Sequence, residues 1–224
     1  MANGLIWETV ISPDSDSIRQ ALQAELFSRP PAEVAHEQMA PQERASAPET
    51  SNSPRVAAVL ALLYPGIDER WEILLIQRAA SAGAHSQQIA FPGGRFEAAD
   101  KTLKQTAYRE TAEEVGLIPS DVQEAGWLTS LYIPPSHFRV YPLLGLMPYA
   151  PALKPDEQEV TAILPVAVSH LQDPANCRHG LVTLADGRAV RSPYFGVAGC
   201  CVWGATAMIL NELLHLLNAA NLEL

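Results

Sequence analysis

The stretch FPGGRFEAADKTLKQTAYRETAEEVGL, residues 91–117, decides how this chain is read. Its second half has the pattern of a helix. Residues 101–115 contain neither proline nor glycine, and Gly116 stands where a left-handed C-cap would end them. Asp100 is placed to act as the N-cap. Glu110, Glu113 and Glu114 occupy positions i, i+3 and i+4. At about 100° per residue they share an arc of roughly 100°. Tyr108, Ala112 and Val115 are expected on the opposite side, against the core, while Leu103 and Ala107 share the glutamates' side.

Three carboxylates this close repel one another, and like charges at i,i+4 destabilise a helix by roughly a few tenths of a kcal/mol. They also lie near the C-terminal end, where the helix dipole disfavours negative charge. A hard divalent cation with oxygen ligands reverses both penalties, and Mg²⁺ suits a few carboxylates completed by water and phosphate. Taken alone, Glu-x-x-Glu-Glu is more often a solvated acidic face, softened here by an Arg109–Glu113 pair at i,i+4. The preceding Pro92-Gly93-Gly94 changes that weighing. It reads as a tight turn whose amides, with those of the helix start, can donate to phosphate oxygens. Glu110, Glu113 and Glu114 are therefore candidate metal ligands, and Gly93 and Gly94 candidate substrate contacts.

Outward from this segment, VAAVLALLY (56–64) is an apolar run long enough for a buried strand. WEILLIQR (71–78) follows after a short turn, which predicts a hairpin. Ile89 to Phe91 suggests another short strand. Strands are expected around 125–131, 138–147 and 160–165, a short helix over 166–172, and a C-terminal helix over 203–217. Strands alternating with a few helices indicate an α/β or α+β sandwich. Upstream, residues 14–28 read as a helix, with Ile18, Leu22 and Leu26 at four-residue spacing. Pro30 and Pro31 stop it. Ala32 to Pro54 is rich in Ala, Pro, Glu, Gln and Ser and reads as a linker or an irregular wrap without a core of its own. The expected division is thus 1–54, helix and linker or arm, and 55–224, the compact domain. Residues 1–54 leave three readings open: the arm of a homodimer, a lid or a tail.

With 224 residues, 48% of them hydrophobic, the chain can build a real core. Its formal charge of −10 argues against coating nucleic acid, which needs a basic surface. It leaves room for a small phosphorylated substrate whose charge a cation neutralises locally. Cys177, Cys200 and Cys201 show no metal-binding spacing and are expected to be buried reduced thiols of a cytoplasmic protein. The N-terminal residues lack the pattern of a signal peptide, and no apolar run approaches the ~20 residues of a membrane span.

Arg78 and Arg139 each follow or interrupt an apolar strand, where a lone arginine is costly unless paired. Each either contacts substrate phosphate or pairs with a structural carboxylate. His85 either touches substrate or is a satisfied loop histidine. Glu159 is either a remote catalytic carboxylate or an ordinary solvated residue beside Asp156 and Glu157.

Arg109-Glu110-Thr111-Ala112-Glu113-Glu114-Val115-Gly116-Leu117 resembles the second half of the Nudix hydrolase signature. That signature is a glycine, five residues, Glu, seven residues, then Arg-Glu-hydrophobe-x-Glu-Glu-x-Gly-hydrophobe. Thr111 replaces the aliphatic residue. The first half departs from it: the segment is one residue longer, and the early acid is Asp100. A longer loop of the form F-P-G-G-x-x-D/E-x-x-D, here Phe91 to Gly94 with Glu97 and Asp100, looks like the coenzyme A diphosphatase branch. Leu74 to Arg78, His85 and Gln88-Ile89 resemble that branch's upstream motif, with Gln87 in place of its usual small residue. Phe138 to Pro142, Glu159-Val160, Leu171 to Pro174 and Trp203 to Ala207 also resemble it. The similarity spans about residues 55–215.

The resemblance implies a mixed β-sheet sandwiched between helices. It implies Glu110 and Glu114 as principal ligands of Mg²⁺ or Mn²⁺, with Glu113 assisting. It implies attack of water on a diphosphate, which for coenzyme A gives 4′-phosphopantetheine and adenosine 3′,5′-bisphosphate. A carboxylate must orient or deprotonate that water, and Glu110 and Glu159 are the candidates. Two alternatives stay open: another nucleotide substrate such as ADP-ribose, a nucleotide-sugar or a dinucleotide, and a non-catalytic nucleotide-binding module.

Overall fold

The structure, a computed structural model, describes residues 14–28, 32–42, 53–79, 88–184, 187–222 and 224. Helices α1 (Ser15–Ser28) and α2 (Glu33–Gln38) precede strands β1 (Arg55–Pro65), β2 (Trp71–Arg78), β3 (Ile89–Ala90) and β4 (Gly93–Arg95). Helix α3 (Leu103–Val115) leads to β5 (Gln123–Trp127), β6 (Leu131–Ile133), β7 (Phe138–Leu146) and β8 (Val160–Ala167). Then come α4 (Val168–Gln172), β9 (Cys177–Thr183), β10 (Ala189–Val197), β11 (Cys200–Trp203) and α5 (Gly204–Ala219).

The central strand is β1, whose apolar run is continuous because both of its faces are buried. Ala58, Leu60 and Leu62 pack with Ala107 and Val115 of α3, whereas Ala61 and Leu63 pack with Leu210 and Leu213 of α5. On one side β1 pairs in parallel with β7, from Arg55↔Phe138 to Leu63↔Leu146. On the other it pairs antiparallel with β4 near its start and with β2 near its end. The expected hairpin of β1 and β2 is present, and the sheet is mixed and lies between helices. Next to β2 runs β8, in register from Glu72↔Ala167 to Arg78↔Val160.

Several expectations need correction. The linker expected over Ala32 to Pro54 contains α2, which buries Ala35 and His36. Asn211 of α5 donates to the Ala35 carbonyl at 2.7 Å. Such a short helix owes its stability to docking rather than to propensity. Pro30 and Pro31 lie outside the described residues. Ile18 and Leu22 of α1 are wholly buried in the core that α5 completes, each contributing about 1.5–3 kcal/mol relative to exposure. A second, three-stranded sheet, β11-β10-β9, occupies a stretch for which the sequence raised no strand expectation. The three cysteines lie on its outer strands, so they are free but exposed, not buried. No helix among the described residues is long and apolar enough to cross a membrane.

Candidate active site

Helix α3 begins at Thr102, not at Asp100. The Thr102 side chain accepts from the Gln105 N–H at 3.2 Å. The helix ends as expected at Gly116, with φ 70° and its N–H on the Ala112 carbonyl. Its buried side carries Ala107, Thr111, Glu114 and Val115; Val115 and the partly buried Tyr108 pack on the core as expected, whereas Ala112 is only half-buried. The polar Thr111 is tolerated there because its hydroxyl donates to the Ala107 carbonyl at 2.7 Å, leaving no donor unpaired. The three glutamates form a gradient: the Glu114 side chain is 0% exposed, Glu110 15% and Glu113 54%.

Glu114 is a buried carboxylate with both oxygens engaged. Arg78 Nη1 donates to one at 2.9 Å and the Gly93 N–H to the other at 2.8 Å. Burial pushes its pKa up to about 7; Arg78 and Gly93 pull it down, while Glu110 and Glu159 push it further up. Glu110 is also raised, first by burial, against the pull of Arg109 and with Glu113 and Glu159 adding to the rise.

Pro92-Gly93-Gly94 is not a closed turn. The chain bends at Pro92 and runs into the short strand β4, paired Val59↔Gly93 to Ala57↔Arg95. Gly93 has φ 142°, and a Cβ there would lie 2.5 Å from the Val59 Cα. At Gly94 a Cβ would overlap the Glu110 carboxyl group, so Glu110 rests directly on the glycine backbone.

Arg109 organises the outer carboxylates. Its Nε and Nη2 donate to the two oxygens of Asp100, each at 3.0 Å. Its Nη1 pairs with Glu110 at 3.1 Å and donates to Glu113 at 3.0 Å, the latter as expected at i,i+4. Nη2 also donates to the Arg95 carbonyl at 3.2 Å. The Arg109 guanidinium, aided by the Glu97 N–H and the Thr106 hydroxyl, holds the Asp100 carboxyl well below the usual range despite its burial. Asp100 is thus the anchor of Arg109, not the helix cap. No local pattern of residues marks that pair.

Glu159 comes next to this cluster although it is remote in sequence. Its carbonyl accepts from the Ala79 N–H at 2.8 Å, directly after Arg78. The segment leading to it is fastened to the end of α3, with Lys154 N–H on the Val115 carbonyl and Asp156 N–H on the Glu114 carbonyl, each at 2.9 Å. Those carbonyls are among the last four of the helix and need outside donors. Glu159 is exposed, and its charge reaches both Glu110 and Glu114. Arg139 is half-buried on β7 between Val56 and Tyr132, and no contact among the described residues brings it to the carboxylates. His85 and Gln87 lie outside the described residues.

The donor set is chemically suited to a hard divalent cation: carboxylate oxygens of Glu110, Glu113, Glu114 and Glu159, with burial first and mutual repulsion second in raising the pKa values of Glu110 and Glu114. Among the described residues no three such groups converge as a formed cage; Glu114 is paired with Arg78, and Glu110 and Glu113 with Arg109.

Residues 54–179, more than half the chain, match the NUDIX domain family model. This chain belongs to the Nudix family. The Nudix hydrolase is 33% identical over 141 residues to the uncharacterized Nudix hydrolase NudL of Photorhabdus laumondii, covering 63% of this chain and 74% of that protein. It is 32% identical over 165 residues to the human mitochondrial coenzyme A diphosphatase NUDT8, covering 72% of this chain and 65% of the human protein. Its fold resembles the crystal structure of the Nudix hydrolase RenU of M. smegmatis. The TM-score is 0.52 at 15% identity, covering 83% of this chain and 96% of the other.

Proposed function

We propose that this Nudix hydrolase cleaves the diphosphate of coenzyme A or its thioesters, giving 4′-phosphopantetheine and adenosine 3′,5′-bisphosphate. The observation that carries this reading is the one-residue-longer F-P-G-G loop, in a chain 32% identical to the human coenzyme A diphosphatase. Glu110 and Glu114, with Glu113, would hold Mg²⁺ or Mn²⁺. Such an ion, when bound, lowers the pKa of water and neutralises phosphate charge. Gly93 and Gly94 keep the strand beside the carboxylates free of side chains, which leaves room for the Glu110 carboxyl on Gly94 and for the close approach of Gly93 to β1. Arg78 orients Glu114, and Arg139 offers a positive charge toward substrate. Glu159, exposed beside Glu110, orients the attacking water and receives its proton on a carboxylate oxygen. The net charge of −10 agrees with a small nucleotide substrate rather than with nucleic acid. Purified protein incubated with Mg²⁺ or Mn²⁺ and coenzyme A should yield the two products by mass spectrometry. Intact coenzyme A beside turnover of ADP-ribose, a nucleotide-sugar or a dinucleotide would refute the substrate assignment.

A further inference from the structure

A second charged feature lies on the face of the sheet turned away from α3. The register pairs Ala58 with Gly94 and Ala57 with Arg95 across β1 and β4, and Arg55 with Phe138 across β1 and β7. Ala58 packs in the α3 core, and the Glu110 carboxyl rests on Gly94, so these two positions face α3. Side chains alternate along a strand. Arg55, Ala57, Arg95 and Phe138 therefore leave by the opposite face, the small Ala57 being the register partner of Arg95.

Both arginines are exposed, and among the described residues neither is paired with a carboxylate. Arg55 is held in place without being neutralised. Its Nη2 donates to the Ser136 carbonyl at 2.6 Å, and its guanidinium carbon lies 4.2 Å from the centre of the Phe138 ring. The two cations, Arg55 held and Arg95 unbonded, stand two register positions apart on one face of a protein of net charge −10. Strand β4 pairs with β1 alone among the described residues, so it is an edge. The glutamates stand on one side of that edge and the arginines on the other. The Arg95 carbonyl is itself bonded to Arg109.

We propose that Arg55 and Arg95 form a subsite for a phosphate monoester that the substrate carries in addition to its diphosphate. Resting on the reading given under Proposed function, this group is the 3′-phosphate of coenzyme A, and the pair selects substrates bearing it. Arg95→Ala is the main probe, because the Arg95 side chain bonds nothing else among the described residues. Arg55→Gln is the second, checked for folding because it loses the Ser136 contact.

The wild-type enzyme should favour coenzyme A over 3′-dephospho-coenzyme A in kcat/KM by about tenfold or more. Arg95→Ala should lower that ratio about 10-fold, the scale of one hydrogen bond to a charged group, and Arg95→Lys should restore part of it. A wild-type ratio near one, or a ratio unchanged in Arg95→Ala, overturns the subsite. If neither compound is hydrolysed, the substrate assignment fails, and calorimetry reads the subsite separately. Adenosine 3′,5′-bisphosphate should then bind about tenfold tighter than adenosine 5′-phosphate, with the gap closing in Arg95→Ala. Equal affinities overturn the proposal.

Discussion

Replacing Gly94 by alanine should disable the enzyme without unfolding it, and the neighbouring Gly93→Ala should do the reverse. A Cβ at position 94 would lie 2.6 Å from Glu110 Oε1 and closer still to its Cδ and Oε2. An ordinary contact needs about 3.5 Å, so the carboxyl must retreat by about 1 Å. It is the free end of a side chain and can do so, and alanine also restricts the unfolded chain, so stability should stay within about 1 kcal/mol of wild type. A displacement of about 1 Å at a reacting group lowers the rate by about 100-fold, or ~2.7 kcal/mol of barrier. At position 93 the new methyl meets backbone instead, with the Val59 Cα 2.5 Å away, and φ is 142°. Strain of about 1–3 kcal/mol and overpacking of similar size follow, enough to lower the melting temperature by roughly 5–20 °C. The assays are thermal unfolding and kcat/KM on the substrate turned over. Wild-type kcat/KM in Gly94→Ala, or equal melting temperatures in the two variants, would refute the placement of Glu110 on the glycine strand.

Two further perturbations test the frame of the site. The Glu114 carboxyl titrates near 7 in the fold against 4.5 for a free glutamate, so the native state binds its proton more tightly. Its contribution is fully present below about pH 4.5 and is lost as pH rises to about 7, by an amount on the order of 3 kcal/mol. Urea unfolding in chelator should therefore show a fall across that window that Glu114→Gln markedly reduces, leaving the part owed to Glu110, whose pKa is also raised; parallel pH profiles would contradict it. Buried Glu212 accepts from the Thr129 N–H and hydroxyl at 2.9 Å each and bonds His36 at 2.9 Å. Glu212→Ala should cost about 3–5 kcal/mol and expose α2 to limited proteolysis; a loss below about 1 kcal/mol would show that the network is dispensable.

What could be read from the sequence was local. The stop of α3 at Gly116 follows from one residue's backbone freedom, and β1 and β2 follow from unbroken apolar runs. The core face of α3 was legible at Val115 and Tyr108 but not at Glu114, because a glutamate counts as polar until its partners are known. Glu114 is stable inside only because Arg78 and Gly93, 36 and 21 residues away, converge on it. Asp100 looked like a cap for the same reason: its claim on Arg109 spans nine residues and has no periodic trace. The second sheet escaped because β9 is exposed over most of its length, so alternation of apolar and polar residues barely marks it. Glu159 was legible as a residue type but not as a neighbour, since its place depends on the segment fastened to the end of α3.

The docking of α1 and α2 against α5 also bears on how the polypeptide assembles during synthesis. His36 and Glu212 are 176 residues apart, and Ile18 and Leu22 share their core with Leu213 and Leu217. The opening helices therefore emerge from the ribosome long before the surface that covers them exists. Contacts of such separation fold slowly and leave apolar side chains open to the wrong partners meanwhile. Yield in the cell should then depend on holding the first helices soluble until α5 has been made.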